Sequence, residues 1–253
     1  MTVTIAPETA FVFLLVFARL GAMIMALPAL GDVMVSPRVR LILALAMSVV
    51  ILPLVRDTFG TVPSTLWQLF GALVYELVIG AFIGLSARMI MTAVQVAGTV
   101  IAFQTGLAFA QNVDPTQGIQ SVLFSNFLSL LATTLILVLD LHHLLIRALY
   151  DSYELFRPGA ALPWGDFAQM ALRTVAGSFR VGIQLAAPFL VFGLIFYLGI
   201  GVLSRLMPQV QIFFIAMPAN ILLGLILLML LLSAMMMWFF NHFEASMAEF
   251  LVQ

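Results

Sequence analysis

Cysteine is absent from the chain, which excludes disulfides, thiolate metal sites and thiol nucleophiles. Lysine is absent as well, so all 10 fixed cations are arginines. Charge of either sign is scarce: 8% of residues are charged, against about 25% in soluble domains. The net charge of −1 leaves no basic footprint for nucleic acid. Also missing are a Gly-rich phosphate loop, a Ser/His/Asp order, an H-E-x-x-H motif and paired carboxylates, so no enzymatic chemistry and no cofactor are expected. Two matched, interrupted halves, the mark of many secondary transporters, are not visible. No charged or Pro/Ser-rich linker divides the chain, which reads as one membrane domain, 1–253. The opening stretch MTVTIAPETAFVF has no basic n-region, so the first helix is expected to be retained.

Hydrophobic residues occupy 64% of the positions, in repeated runs that each approach or exceed the roughly 18 residues of a membrane span. An all-α polytopic membrane protein follows. Seven runs are expected. The first extends from a cap at Thr9 to about residue 27, closed by Pro28 and Gly31-Asp32. The second covers 41–55, ending at Pro53; the third 66–87, broken only by Glu76; the fourth 89–111. The fifth covers 119–139 and continues through Asp140-Leu141-His142-His143 to about residue 150. The sixth covers 181–203, entered by an amphipathic turn from Phe167. Between Arg205 and Glu244, 38 uncharged residues would make one helix of about 57 Å. Pro208 and Pro218 are expected to split it into 210–217 and a full run, 219–240. Counting arginines by alternate loops places the N-terminus outside and the C-terminus inside: Arg38, Arg40, Arg88, Arg147, Arg157, Arg173 and Arg180 inside, Arg56 and Arg205 outside.

Few residues invite chemistry. Arg19 and Glu76 are ionisable groups inside apolar runs, where charge is costly; they either pair, with each other or with a partner chain, or face a water-filled path. Glu76, Gly80 and Gly84 are spaced by four and share a helix face. Gly80-Ala-Phe-Ile-Gly84 is a G-x-x-x-G pattern that lets another helix approach, from this chain or from another subunit. Asp140 and His143 share a face and Arg147 follows at i+4; with His142 they form either a partial metal or proton-relay set or simply a polar helix end. Met235-Met236-Met237 is soft packing or a soft seal.

The stretch from Gly106 to Gln120, GLAFAQNVDPTQGIQ, lies between two apolar runs, each 25 uncharged residues long. Polar character begins early, at Gln104 and Thr105. Two glycines and a proline oppose a continuous helix, while Phe103, Leu107 and Phe109 add bulk. Irregular backbone cannot face lipid with unpaired amides. The stretch is therefore either a loop outside the bilayer or a segment packed in protein that occludes an aqueous lumen.

The segment VIAFQTGLAFAQNVDP closely resembles the "F-Q-x-G-x-x-F-A-x-x-x-D-P" segment of the FliR family of flagellar export proteins. PALGDVMVSPRVR, with Pro37, Arg38 and Arg40, resembles that family's first loop, and the spacing of Glu76, Gly80 and Gly84 resembles its third-helix pattern. RLMPQVQIF, with Arg205, Pro208 and Gln209 and with Pro218 beyond, resembles its "R-x-x-P-Q-x-x-I-F…P" signature. Asp140-Leu141-His142-His143 stands where the family commonly has N-G-H. The resemblance spans essentially the whole chain. It implies a non-enzymatic, pore-forming subunit of the type III export gate in the bacterial inner membrane and flagellar basal body. The partners it implies are FliP and FliQ in the gate core, FlhB and FlhA beside it, and exported flagellar subunits as cargo. It further implies kinked helical hairpins packed in a hetero-oligomeric helical assembly raised from the ordinary bilayer plane. A plug built from Phe103, Gln104, Gly106, Leu107, Phe109, Asn112, Asp114, Pro115 and Gly118 would project into the lumen. The homologous injectisome subunit is the near alternative, and a small-molecule or ion transporter the more distant one.

Overall fold

Apolar side chains recur at three- and four-residue intervals along the chain, and helices are what such spacing builds. The computed structural model describes residues 7–32, 35–60, 65–107, 123–207 and 212–252, and among them all regular structure is helical. In chain order the helices are α1 (Pro7–Ala26), α2 (Pro37–Val55), α3 (Leu66–Gln104), α4 (Leu123–Val138), α5 (Leu141–Leu155), α6 (Trp164–Leu206) and α7 (Ile212–Met247), with 3-10 turns at Arg56–Thr58 and Ala248–Phe250.

Among the described residues, five helices are long and apolar enough to cross a membrane, and the pair α4/α5 makes a sixth if it counts as one bent span. This replaces the seven expected runs, for three local reasons. No break occurs at Arg88: runs three and four are one 39-residue helix, α3, about 58 Å long. Arg88 lies on its exposed side and reaches Asp32, 3.1 Å away, so one charge is carried without ending the helix. Pro218 lies inside α7, on an exposed face near its start, and the helix runs on through it where a stop was expected. The fifth run does break. Asp140 adopts a left-handed backbone (φ 58°), tolerated by Asp better than by most residues, and α4 and α5 meet there at 74°. Without a boundary at 88, the alternate-loop arginine count loses its basis downstream. The sixth run also starts earlier than expected, since α6 is continuous from Trp164.

Helix starts follow ordinary rules. Ser36 caps α2 by accepting from Val39 N at 3.4 Å, and Pro37 occupies the first turn, where its missing N–H leaves nothing unpaired. α1 likewise begins at Pro7, which places Thr9 inside the helix and not at its cap.

The chain forms two compact units. The first draws on Met1–Ile90, Thr133–Val175 and Phe243–Gln253, the second on Met91–Ala132 and Ala176–His242; α3, α4, α6 and α7 contribute to both. In the first unit α1 presents Val12, Leu15, Val16, Leu20, Met23, Ile24 and Leu27 as a buried stripe, with Arg19 on the same face. Phe82 stacks on Phe167, ring centroids 4.1 Å apart, joining α3 to α6. In the second unit, small residues bring backbones together. A side chain at Gly98 would overlap the Ser125 backbone of α4, and Ser125 Oγ donates to Gln95 O at 2.9 Å. On the surface of the first unit Ile42 and Val50, and on that of the second Leu194, Ile195, Met229 and Leu230, are among many large apolar side chains left exposed.

Candidate functional sites

Four places carry the sequence's candidate residues. The first is a buried charge centre in the first unit. α1 delivers Arg19 and α3 delivers Glu76, whose side chains are 0% and 1% exposed, with Nε donating to Oε2 at 2.5 Å. Arg19 Nη1 donates to Ser152 O (2.9 Å) and Ser152 Oγ (3.0 Å), and Nη2 to Phe156 O (3.1 Å). Its guanidinium carbon lies 4.0 Å from the ring centre of Tyr153. The arginine thus completes the C-terminal carbonyls of α5 while pairing with α3. Of the expected alternatives, the geometry gives pairing within the chain. No room for a water path surrounds two side chains this buried.

Gly80 and Gly84 serve the same contact. A Cβ at Gly80 would collide with the carbonyl of Arg19, and one at Gly84 would come within 2.7 Å of Met23 O and Ala26 Cβ. The G-x-x-x-G face is therefore occupied by α1 of this chain. It sets the helix separation at which Arg19 and Glu76 meet.

The second place is the first loop. Arg40 folds back from α2 and donates to the carbonyls of Val35 (2.8 and 3.0 Å), Asp32 (3.1 Å) and Gly31 (3.4 Å). Arg38 is exposed. The motif's two arginines therefore divide: one holds the loop, the other faces outward. Arg205 is exposed at the end of α6; Pro208 and Gln209 lie outside the described residues.

The third is the end of α3 in the second unit. Thr105 Oγ1 donates to Ile101 O at 2.9 Å, and the helix closes at Gly106, whose φ of 75° suits glycine best. Phe103 is exposed, Gln104 and Leu107 half-buried, Thr105 and Gly106 buried. The other expected plug residues, Phe109, Asn112, Asp114, Pro115 and Gly118, lie outside the described residues. Sequence reasoning missed Asn220 of α7: 3% exposed, it donates from Nδ2 to Gln104 O at 3.1 Å. A lone Asn between Ala and Ile in an apolar helix was the available signal.

At the α4/α5 bend, Asp140, His142 and His143 offer ligand atoms within 4.8 Å of one another, Asp140 and His143 being exposed. His142 also lines an apolar cavity of about 240 Å³ between α1, α2 and α5, and its Nδ1 has no hydrogen-bond partner among the described residues.

The match to known proteins covers the same elements. Residues 10–246 fit the family model described as bacterial export proteins, family 1. The chain belongs to that family. It is 47% identical over 229 residues to the flagellar biosynthetic protein FliR of Caulobacter vibrioides, covering 90% of this chain and 91% of that one. It is 30% identical over 237 residues to that of Bacillus subtilis, covering 92% and 90%, and 32% identical over 212 residues to that of Escherichia coli, covering 83% and 80%. The buried pair, the first loop and the end of α3 all fall inside these alignments' family span.

Proposed function

We propose that the chain is a structural, non-enzymatic subunit of the flagellar type III export gate, set in the bacterial inner membrane at the flagellar basal body. It lines the path for unfolded flagellar proteins and closes it with the stretch that begins at Phe103 and Gln104. FliP and FliQ are its partners in the gate core, with FlhB and FlhA alongside. The observation that carries this reading is the family match over residues 10–246. Three features support it. The long helices leave rows of exposed apolar side chains for lipid or neighbouring subunits. The charges inside the apolar runs satisfy each other within the chain, as a scaffold requires. The end of α3 is held in place by side chains of the second unit.

The flagellar reading is favoured over the injectisome one because the relatives it aligns with are flagellar biosynthetic proteins. A small-solute transporter needs a cavity with polar ligands. A cavity of about 580 Å³ between α6 and α7 is instead lined by residues such as Ile195, Phe196, Leu203 and Ile215, all apolar. Deleting the gene and complementing it tests the proposal. A non-motile deletion strain, rescued by this chain and yielding it in complex with two small hydrophobic proteins, is expected. Motility unaffected by the deletion would refute it.

A further inference from the structure

Two helices of the second unit each place a pair of residues four positions apart, hence on one face, against the end of α3. On α6 these are Gly193 and Tyr197; on α7, Asn220 and Gly224. A Cβ at Gly193 would fall on the Gln104 side chain, and one at Gly224 on the Thr105 side chain. Both glycines are notches that admit a neighbour's bulk. Between them, Asn220 Nδ2 donates to Gln104 O (3.1 Å) and lies 3.5 Å from Tyr197 Oη. The same nitrogen is 3.1 Å from where a Cβ on Gly106 would stand. The socket therefore fits the sequence Gln104-Thr105-Gly106 residue by residue.

Its hydrogen bonding is incomplete. An amide side chain has two donors and an acceptor with two lone pairs. Among the described residues Asn220 makes one good bond and a second at the limit of range, and its buried Oδ1 has no partner. A buried unpaired acceptor costs free energy and invites an explanation. Leucine has the same number of side-chain heavy atoms and no polar group to strand. The Gln104 carbonyl is the one well-placed partner of the amide among the described residues.

We infer that Asn220 is a positioning residue for gating: its single hydrogen bond to the Gln104 carbonyl latches the end of α3 into the Gly193/Gly224 socket, and the latch releases when the gate opens. The inference rests on the reading that the stretch following α3 closes the path.

The absence of cysteine makes the test clean. The complete gate complex is purified from cells carrying the variant chain, reconstituted in planar bilayers, and its potassium chloride conductance recorded. Asn220→Leu removes the unpaired Oδ1 but leaves the Gln104 carbonyl without its donor; these effects oppose each other, so the complex should assemble with little change in unfolding temperature. Its leak should rise roughly two- to tenfold, the factor carried by one net hydrogen bond. A purely structural Asn220 would leave the leak unchanged. In the Asn220→Leu background, Gln104→Cys and Gly193→Cys place Cβ atoms 3.4 Å apart, next to the disulfide range. Copper-phenanthroline oxidation should restore closure, and reduction should reopen it. Replacing residues 106–118 by a Gly/Ser linker is the control. A leaking linker with a tight Asn220→Leu complex overturns the latch and leaves the plug standing. Tight complexes in both overturn both. A cross-link that forms without suppressing the leak, or fails to form, also overturns the latch.

Discussion

Removal of Glu76 is the perturbation whose size the structure fixes best. Arg19 is fully buried, and among the described residues Glu76 is the one anion it touches; its other partners, Ser152 and Phe156, offer neutral oxygens. Glu76→Ala therefore leaves a cation uncompensated, and breaking a buried pair in this way costs about 3–5 kcal/mol. Stability of about 5–15 kcal/mol is typical, so a large fraction is lost. At about 2–4 °C per kcal/mol for a chain of this size, unfolding should fall by on the order of 10 °C. Replacing both partners by methionine removes the stranded charge. What remains is the lost donation to the α5 carbonyls, about 1–3 kcal/mol. The double variant should thus be more stable than either Glu76→Ala or Arg19→Ala. Thermal unfolding of the purified chain in detergent, followed by tryptophan fluorescence, reads the order, and native gels read incorporation of the variant chain into the gate complex. Both singles should fail in assembly before any defect in transport is seen. Single variants that assemble with normal stoichiometry and unfold as wild type would refute the reasoning. So would a double variant whose loss equals the sum of the singles.

Two further outcomes follow from backbone geometry. Gly80→Leu should separate α1 from α3 because its side chain meets the Arg19 carbonyl; overpacking of this kind costs about 1–3 kcal/mol or more, and the chain's abundance in membranes should drop several-fold. Asp140→Gly should be neutral or stabilising by up to about 1 kcal/mol, since φ is positive there, whereas Asp140→Val should destabilise; equal unfolding temperatures for the two would contradict the left-handed bend.

How much of this was legible depends on the range of the cause. The caps and breaks set by neighbours in sequence were partly readable: Ser36-Pro37 opens α2 as its residues suggest. Arg19 and Glu76 stood out because charge in an apolar run demands a partner, although the partner's identity needed the fold. Arg88 misled because one arginine amid apolar residues looks like a boundary, while on the open side of α3 its ion pair with Asp32 removes that meaning. Pro218 misled because α7 continues through it from Ile212 to Met247. Asp140 sat inside a continuous apolar pattern, and its left-handed backbone left no trace in periodicity. The socket around Gln104 was the least readable. Gly193, Tyr197, Asn220 and Gly224 lie 89 or more positions away from it (193 − 104 = 89), and only the packing of α6 and α7 brings them together.

Conductance of the assembled gate tests most directly whether this chain stoppers a water-filled bore. With residues 106–118 exchanged for a flexible Gly/Ser linker, complexes of unchanged composition should pass potassium and chloride freely while wild-type complexes stay tight. Linker complexes as tight as wild type, in cells that still swim, would contradict it.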